Sequence, residues 1–155
     1  MRTVLWADSL SNYLACVCVF EMLVCVCGGM GKTSLVHRLM YGTFSLWHRP
    51  TEFREVHHGA SMDVVDVPST EHGVPMRCDV LVLIDCAEGM SLLRRWFGFY
   101  NHLVVVRRIG VRGVRGVRGV RGGVDRRCTP YWLDVNSLSG DGVNELRALI
   151  LRLYK

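Results

Sequence analysis

The chain has 155 residues, half of them hydrophobic, which is enough for one domain with a buried core and excludes a largely disordered chain. Its formal net charge of +5 is uneven, because eight arginines lie in one short stretch, so a uniformly cationic surface is excluded. These arginines are Arg107, Arg108, Arg112, Arg115, Arg118, Arg121, Arg126 and Arg127.

The N-terminal part is rich in apolar residues and cysteine. Cys16 and Cys18, and then Cys25 and Cys27, form two Cys-Val-Cys runs whose spacing suits buried strand positions better than metal ligands or a disulfide. Residues 13–27 are apolar but short for a membrane span, and Glu21 interrupts them. We therefore expect residues 1–20 to be an N-terminal extension of a domain over residues 21–155. The protein is expected in the reducing cytoplasm without a membrane anchor.

The first elements of the domain are a strand and a helix joined by glycines. Residues 22–27 form an apolar run that ends at Gly28 and Gly29, which predicts a buried strand. Residues 32–41 carry apolar side chains at helical spacing, and Gly42 is a suitable helix stop. A hairpin is predicted next, with strands over 53–56 and 62–67. Its turn would hold His57 and His58 in solvent.

The second half of the chain predicts three more strands and two helices. The strands are residues 79–85, 103–106 and 131–135, and the helices are residues 91–100 and a C-terminal amphipathic helix with its apolar face at Val143, Leu146, Leu149, Ile150 and Leu153. Strands alternating with helices indicate an α/β fold with a mostly parallel sheet covered by helices on both faces. The aromatic residues Trp96, Phe97, Phe99 and Tyr100 are expected to pack on this sheet.

A Val-Arg-Gly triplet repeats over residues 111–122, inside a basic segment over 107–127. Glycine at every third position with arginine between cannot build a packed core, so the segment predicts an exposed loop. Two interpretations stay open. The loop is either solvated without a specific role, or it makes weak, salt-dependent contacts with nucleic acid or another acidic surface.

The residues between the first strand and the first helix have the composition of a phosphate-binding loop. A triphosphate requires several backbone N–H groups converging on anionic oxygens, a helix N-terminus and one lysine. Lys32 would reach the outer phosphates, and the Thr33 hydroxyl would bind Mg²⁺. Val26 stands where the full pattern has its first glycine. The predicted phosphate-binding residues are Gly28, Gly29, Met30, Gly31, Lys32, Thr33 and Ser34.

With this loop and the Gly42-Thr43-Phe44 that follows its helix, the chain resembles the Ras superfamily of small GTPases, a group of P-loop NTPases. The resemblance implies GTP or GDP with Mg²⁺ as cofactors. It also implies that Thr51 contacts Mg²⁺ and senses the γ-phosphate, that Asp66 supports Mg²⁺ through water, and that Lys32 and Thr51 serve catalysis. The loop that backs the guanine base would contain Asn136, Ser137 and Leu138.

Two regions depart from the family pattern. Ser69 replaces a glycine, and Thr70 replaces the glutamine that orients the attacking water in many members. Threonine is too short for that role, so hydrolysis should be slow, with Glu71 or His72 as substitutes. The motif that reads guanine with a carboxylate is missing, because residues 107–110 read Arg-Arg-Ile-Gly.

Three functions follow from these observations. The first is a slow GTPase switch whose effector and regulator proteins contact residues 46–51 and 66–73. The second is a non-catalytic GTPase-like (pseudo-GTPase) interaction module, favoured by the missing guanine motif and by Ser69. The third is an ATP-binding P-loop protein, since residues 28–33 also resemble the loop of NB-ARC-type signalling ATPases.

Overall fold

A computed structural model describes residues 2–6, 15–19, 22–46, 51–108 and 130–154. These described residues contain eight strands, three α-helices and one 3-10 helix over Ser69–Glu71. In chain order the strands and α-helices are β1 (Arg2–Trp6), β2 (Ala15–Val19), β3 (Met22–Gly28), α1 (Lys32–Tyr41), β4 (Glu55–His58), β5 (Met62–Asp66), β6 (Cys78–Ile84), α2 (Gly89–Trp96), β7 (Tyr100–Arg108), β8 (Tyr131–Val135) and α3 (Val143–Leu153).

Six of the strands form one sheet in the order β4-β5-β3-β6-β7-β8. Every neighbouring pair is parallel except β4 and β5, which form an antiparallel hairpin at the edge. The predicted α/β fold with a mostly parallel sheet is therefore confirmed. Strands β1 and β2 form a separate two-stranded antiparallel sheet. The assignment of residues 1–20 to an extension stays a prediction.

The two faces of the sheet pack against different helices. Alternate strand residues such as Val26, Val64 and Val106 lie in one apolar cluster with helices α1 and α3. Their neighbours, including Cys27 and Val105, lie in a second cluster with helix α2. This alternation follows from the two-residue period of a strand, and near-continuous apolar runs such as β6 are required where both faces are covered. The prediction of helices on both faces is confirmed.

The predicted boundaries of three elements, β4, α2 and β7, were wrong. Strand β4 runs to His58, so His57 and His58 lie in a strand and not in a turn, although His58 is exposed as predicted. His57 is half-buried, its Nδ1 lies 2.9 Å from the Tyr41 hydroxyl, and burial lowers its pKa. Helix α2 ends at Trp96, because Gly98 takes a left-handed φ of 82° that breaks the helix, and Tyr100 begins β7.

Individual side chains test the remaining predictions. Cys25 and Cys27 are buried free thiols as predicted, and burial raises the pKa of Cys27 to about 12. Cys16 and Cys18 lie in β2, but their side chains are outside the described part of the structure. Trp96 is fully buried in the sheet, whereas Phe97 is exposed.

Residues 111–122, which hold the Val-Arg-Gly repeat, lie outside the described residues, so the expected loop and its contacts stay predictions. Within the described ranges, none of the helices combines the length and the apolar character needed to cross a bilayer.

Candidate phosphate-binding site

The turn between β3 and α1 depends on two glycines with left-handed backbone angles. Gly28 has a φ of 104° and Gly31 a φ of 88°. A Cβ on Gly28 would lie 2.3 Å from the carbonyl oxygen of Ile84 in the neighbouring strand β6, so the backbones approach too closely for any side chain. The Gly29 N–H donates to the same carbonyl at 3.1 Å. The sequence therefore folds locally into a tight turn that ends at the N-terminus of helix α1.

Lys32, the first residue of α1, has its side chain folded back over this turn. The residue is only 7% exposed, and its Nζ donates to the carbonyl oxygens of Gly28 and Gly29, at 3.4 Å each, and to the Ser69 hydroxyl at 3.3 Å. All three acceptors are neutral and the bonds are long. Burial lowers the pKa of Lys32, and the charge of Asp66 opposes that shift. The ammonium and the N-terminus of α1 together make this turn electropositive.

Three oxygen-bearing side chains from separate parts of the chain meet beside the lysine. The Thr33 hydroxyl donates to Asp66 Oδ2 at 2.5 Å, and the Thr51 hydroxyl donates to the same oxygen at 3.2 Å. The two threonine hydroxyl oxygens are 2.7 Å apart. Asp66 ends β5 and is completely buried, yet its Oδ1 has no hydrogen-bond partner. The predicted metal-binding residues are therefore brought together.

A cleft of about 220 Å³ opens at this turn. Lys32, Thr33 and Thr51 contribute to its walls, so the cation and the two hydroxyls face one space. The full lining consists of Met30, Gly31, Lys32, Thr33, Ser34, Thr51, Ser69 and Thr70.

The oxygen donors in this cluster fit a hard cation such as Mg²⁺. The described residues contain no group of three or more histidine, cysteine, aspartate or glutamate side chains that could hold a metal. One carboxylate and two hydroxyls leave about half of the octahedral positions of Mg²⁺ to other ligands. This is how Mg²⁺ usually binds to proteins, through one or two carboxylates together with water and substrate phosphates. The unbonded Oδ1 of buried Asp66 gives such a cation, or a water bound to it, an acceptor.

The residues that follow Asp66 have different environments. Ser69 and Thr70 line the cleft, whereas Glu71 forms a 2.6 Å ion pair with Arg54. His72 is half-buried, and its carbonyl oxygen accepts a 2.7 Å bond from the Trp96 indole. Burial, together with the charge of Lys32, lowers the pKa of His72 and favours its neutral form. Of the four residues, only Ser69 and Thr70 reach the cleft.

Asn136, Ser137 and Leu138, predicted to back a guanine base, are not among the residues that line the cleft. Asn136 Oδ1 accepts from the backbone N–H groups of Leu138 and Ser139. Arg38 of α1 donates to the carbonyl oxygens of Ser137, at 3.1 Å, and Leu138, at 2.7 Å. The loop is therefore fixed to the same helix that begins with Lys32.

One cation beside the site was not predicted from the sequence; it does not line the cleft but lies against Gly31, which does. Arg108, the last residue of β7, places its guanidinium Nη1 3.1 Å from the position that a Gly31 Cβ would occupy. Its location was readable from the strand period, because Val104 and Val106 face helix α1 and Arg108 continues their alternation at the carboxyl end of the strand. The sequence pattern assigns Arg108 to the basic segment over 107–127 and to the stretch that replaces the guanine-reading motif, whereas it is the last residue of a strand.

No known protein family matches this chain, and no curated protein matches it in sequence.

Proposed function

We propose that this protein is a divergent small GTPase of the P-loop NTPase class that binds GTP and GDP with Mg²⁺ and acts as a slowly hydrolysing switch. The observation that carries the proposal is the meeting of Lys32, Thr33, Thr51 and Asp66 at one glycine turn. These residues come from α1, the segment before β4 and the end of β5. Nothing in core packing requires two hydroxyls, a lysine and a buried carboxylate at the same place, whereas a metal-bound phosphate does.

Each residue then has a distinct role. Lys32 exchanges its long bonds to neutral oxygens for charge-assisted bonds to phosphate oxygens, which are stronger. Thr33 and Thr51 present their hydroxyls to Mg²⁺, and Asp66 accepts from them or from water bound to the ion. When bound, Mg²⁺ neutralises phosphate charge. The Gly29 N–H is bonded to Ile84, so the N–H groups at the start of α1 are the backbone donors that would face the phosphates.

Slow hydrolysis is supported by the residues after Asp66. An effective water-positioning side chain must reach the attacking water, and Thr70 is short. Glu71 is committed to Arg54, whose guanidinium also donates to the Val74 carbonyl. The His72 carbonyl oxygen accepts a hydrogen bond from the Trp96 indole, and the His72 residue is half-buried. Hydrolysis by this site alone should therefore be weak, and a regulator protein would be needed for fast turnover.

A partner would read the nucleotide state through residues 46–51 and 66–73. The Thr51 hydroxyl bonds both Thr33 and Asp66. A ligand that binds the oxygens of Thr33 and Asp66 therefore changes the position of the segment that contains Thr51. Leu46 is the first residue of the region 46–51 and is 84% exposed, which suits contact with a partner protein. Residues 47–50 lie outside the described part of the chain.

A second function is favoured by the same bonds. Lys32 bonds Ser69, and Thr33 and Thr51 bond each other and Asp66 Oδ2, so each of these three side chains has a partner without a ligand. A pseudo-GTPase interaction module would need no bound nucleotide to hold these side chains in place. This alternative predicts no measurable nucleotide affinity.

The test is a titration of purified, nucleotide-stripped protein with fluorescent GDP, GTP and ATP in Mg²⁺, beside Lys32→Ala. We expect guanine-nucleotide binding that weakens by about tenfold or more in the variant, because a hydrogen bond to a charged group contributes about 1.5–3 kcal/mol. Tighter binding of ATP than of GTP would contradict the proposed GTPase and favour the function of an ATP-binding P-loop protein. No binding of any nucleotide would leave the interaction module.

A further inference from the structure

Arg108 has surroundings that are unusual for an arginine at the end of a strand. Its side chain lies against Gly31, the residue just before α1, with Nη1, Cδ and Cζ at 3.1, 3.7 and 4.0 Å from the position of a Gly31 Cβ. The side chain is half-buried, and its Nε is buried without a hydrogen-bond partner. No carboxylate in the described ranges forms an ion pair with it.

The preceding residue shows what a structural arginine looks like at this strand end. Arg107 points to the opposite face and forms a two-bond ion pair with Asp134, at 2.6 and 2.9 Å. Arg107 is exposed and its charge is satisfied. Arg108 is more buried, and no carboxylate of the described residues pairs with it, although both arginines lie beside strand β8.

Arg108 also adds to the charge around Lys32. Burial is the main cause that lowers the pKa of Lys32; the charge of Asp66 opposes this shift, and the Arg108 guanidinium adds a smaller lowering because the two cations repel each other. Two partly desolvated cations near a helix N-terminus favour an anion beside them, and Asp66 supplies only one negative charge. The arrangement therefore favours a ligand with more than one negative charge.

We propose that Arg108 is a phosphate-binding residue that acts with Lys32, so that the site binds the polyphosphate chain through two cations. The inference rests on the proposed function, which it deepens by naming a second charged contact. Guanidinium is suited to this role because its planar set of donors can form paired bonds to phosphate oxygens. Affinity should therefore depend strongly on phosphate number and should persist for a polyphosphate that carries no base.

The test measures Kd for inorganic tripolyphosphate, GTP and ATP in Mg²⁺ at one fixed salt concentration. The proteins are the full chain, Arg108→Ala, Arg108→Lys, Arg107→Ala and Lys32→Ala. Arg107→Ala is the matched control, because it removes the same charge one residue away on the opposite face. We expect Arg108→Ala to weaken all three ligands by a similar factor of about tenfold or more, with an intermediate loss for Arg108→Lys. Arg107→Ala should change Kd less than about twofold.

Thermal unfolding distinguishes a structural role of Arg108 from a role in binding phosphate. Without ligand, Arg108→Ala should melt at the same temperature as the full chain or higher, because a cation–cation repulsion is removed. With tripolyphosphate, its stabilisation should be smaller than that of the full chain. A lower melting temperature in the free variant with unchanged ligand stabilisation would overturn the proposal.

The remaining outcomes separate this inference from the proposed function. If the full chain binds and Lys32→Ala does not, while Arg108→Ala behaves like Arg107→Ala, the role of Arg108 is wrong and the phosphate site stands. If Arg108→Ala loses GTP but keeps tripolyphosphate, its contact is with the nucleoside, and the proposal is again overturned. If the full chain binds none of the three ligands, both proposals fail.

Discussion

At the scale of single residues, Asp66 is a buried carboxylate whose two oxygens differ. Oδ2 accepts from Thr33 and Thr51, whereas Oδ1 has no hydrogen bond. A buried polar atom without a partner costs about 1–3 kcal/mol. An isoleucine or valine at the end of β5 would avoid that cost and suit the surrounding apolar cluster. The free energy lost at Asp66 is therefore best explained by a ligand, as in our proposal.

Gly28 gives the sharpest prediction for a single residue. Gly28→Ala should lower the free energy of unfolding by about 3 kcal/mol or more, because a left-handed φ costs an L-residue about 1–2 kcal/mol and the new Cβ collides with the Ile84 backbone. Urea unfolding followed by circular dichroism measures this loss.

Gly42→Ala is the matched control for Gly28→Ala. Gly42 also has a left-handed φ, of 69°, but open space surrounds the position of its Cβ. Its loss should stay near the backbone cost of about 1–2 kcal/mol. Equal losses in the two variants would show that the close approach between β3 and β6 does not constrain the turn.

At the scale of elements, the sheet was predictable because hydrophobic alternation is a local property of the sequence. The continuous apolar run of β6 and the spacing on α1 and α3 fix which faces are buried. The first and last residues of the strands were less predictable, since they depend on which residues of the neighbouring strand they pair with. Tyr100 belongs to β7 because it pairs with Cys78 of β6, and His57 belongs to β4 because it pairs with Val64. Neither partner is visible in the local pattern.

Arg38 links two elements that are far apart in sequence. Its guanidinium donates to the carbonyl oxygens of Ser137 and Leu138, and also to that of Gly42 at 2.7 Å. The loop after β8 is thereby tied to helix α1. This contact could not be predicted from the sequence, because an arginine on the polar face of an amphipathic helix is ordinary.

Replacing Arg38 by alanine should loosen that loop without unfolding the domain. The backbone N–H groups of Asn136 and Gly140, which bond within the loop, should exchange with solvent about tenfold faster, because about 1.4 kcal/mol of local stability is lost. Hydrogen–deuterium exchange measures this directly. Arg147→Ala, an exposed arginine on α3, should leave both rates unchanged. Unchanged exchange in Arg38→Ala would show that the loop is held by its internal bonds alone.

At the scale of the whole molecule, the candidate site lies where parallel strands end. Gly28, Asp66 and Arg108 are the last residues of β3, β5 and β7. Ligands of open α/β sheets bind at the carboxyl ends of the strands, since loops and helix N-termini gather there. The glycine turn before α1 could be predicted because its residues are consecutive.

The rest of the site was predictable only in part. Thr51 and Asp66 were identified through a resemblance, and their contact with Thr33 is a property of the folded chain. The strand period places Arg108 on the α1 face of the sheet, but its approach to Gly31 is a property of the folded chain. The pairing of Glu71 with Arg54 likewise depends on how two loops approach each other.

The central claim is that Asp66, Thr33 and Thr51 form a metal-dependent phosphate site with Lys32. Its most direct test is calorimetric titration of GTP with Mg²⁺ and with EDTA, for the full chain, Asp66→Asn and Asp63→Asn. Asp63 is a matched control, because it is also a buried carboxylate of β5 but bonds His58 at 3.0 Å.

We predict that EDTA weakens GTP binding to the full chain and to Asp63→Asn by about tenfold or more, because Mg²⁺ bridges a carboxylate and substrate phosphates. Asp66→Asn should bind GTP weakly and equally in both conditions. GTP binding to the full chain that is equal with Mg²⁺ and with EDTA, or a metal effect that survives in Asp66→Asn, would contradict the account.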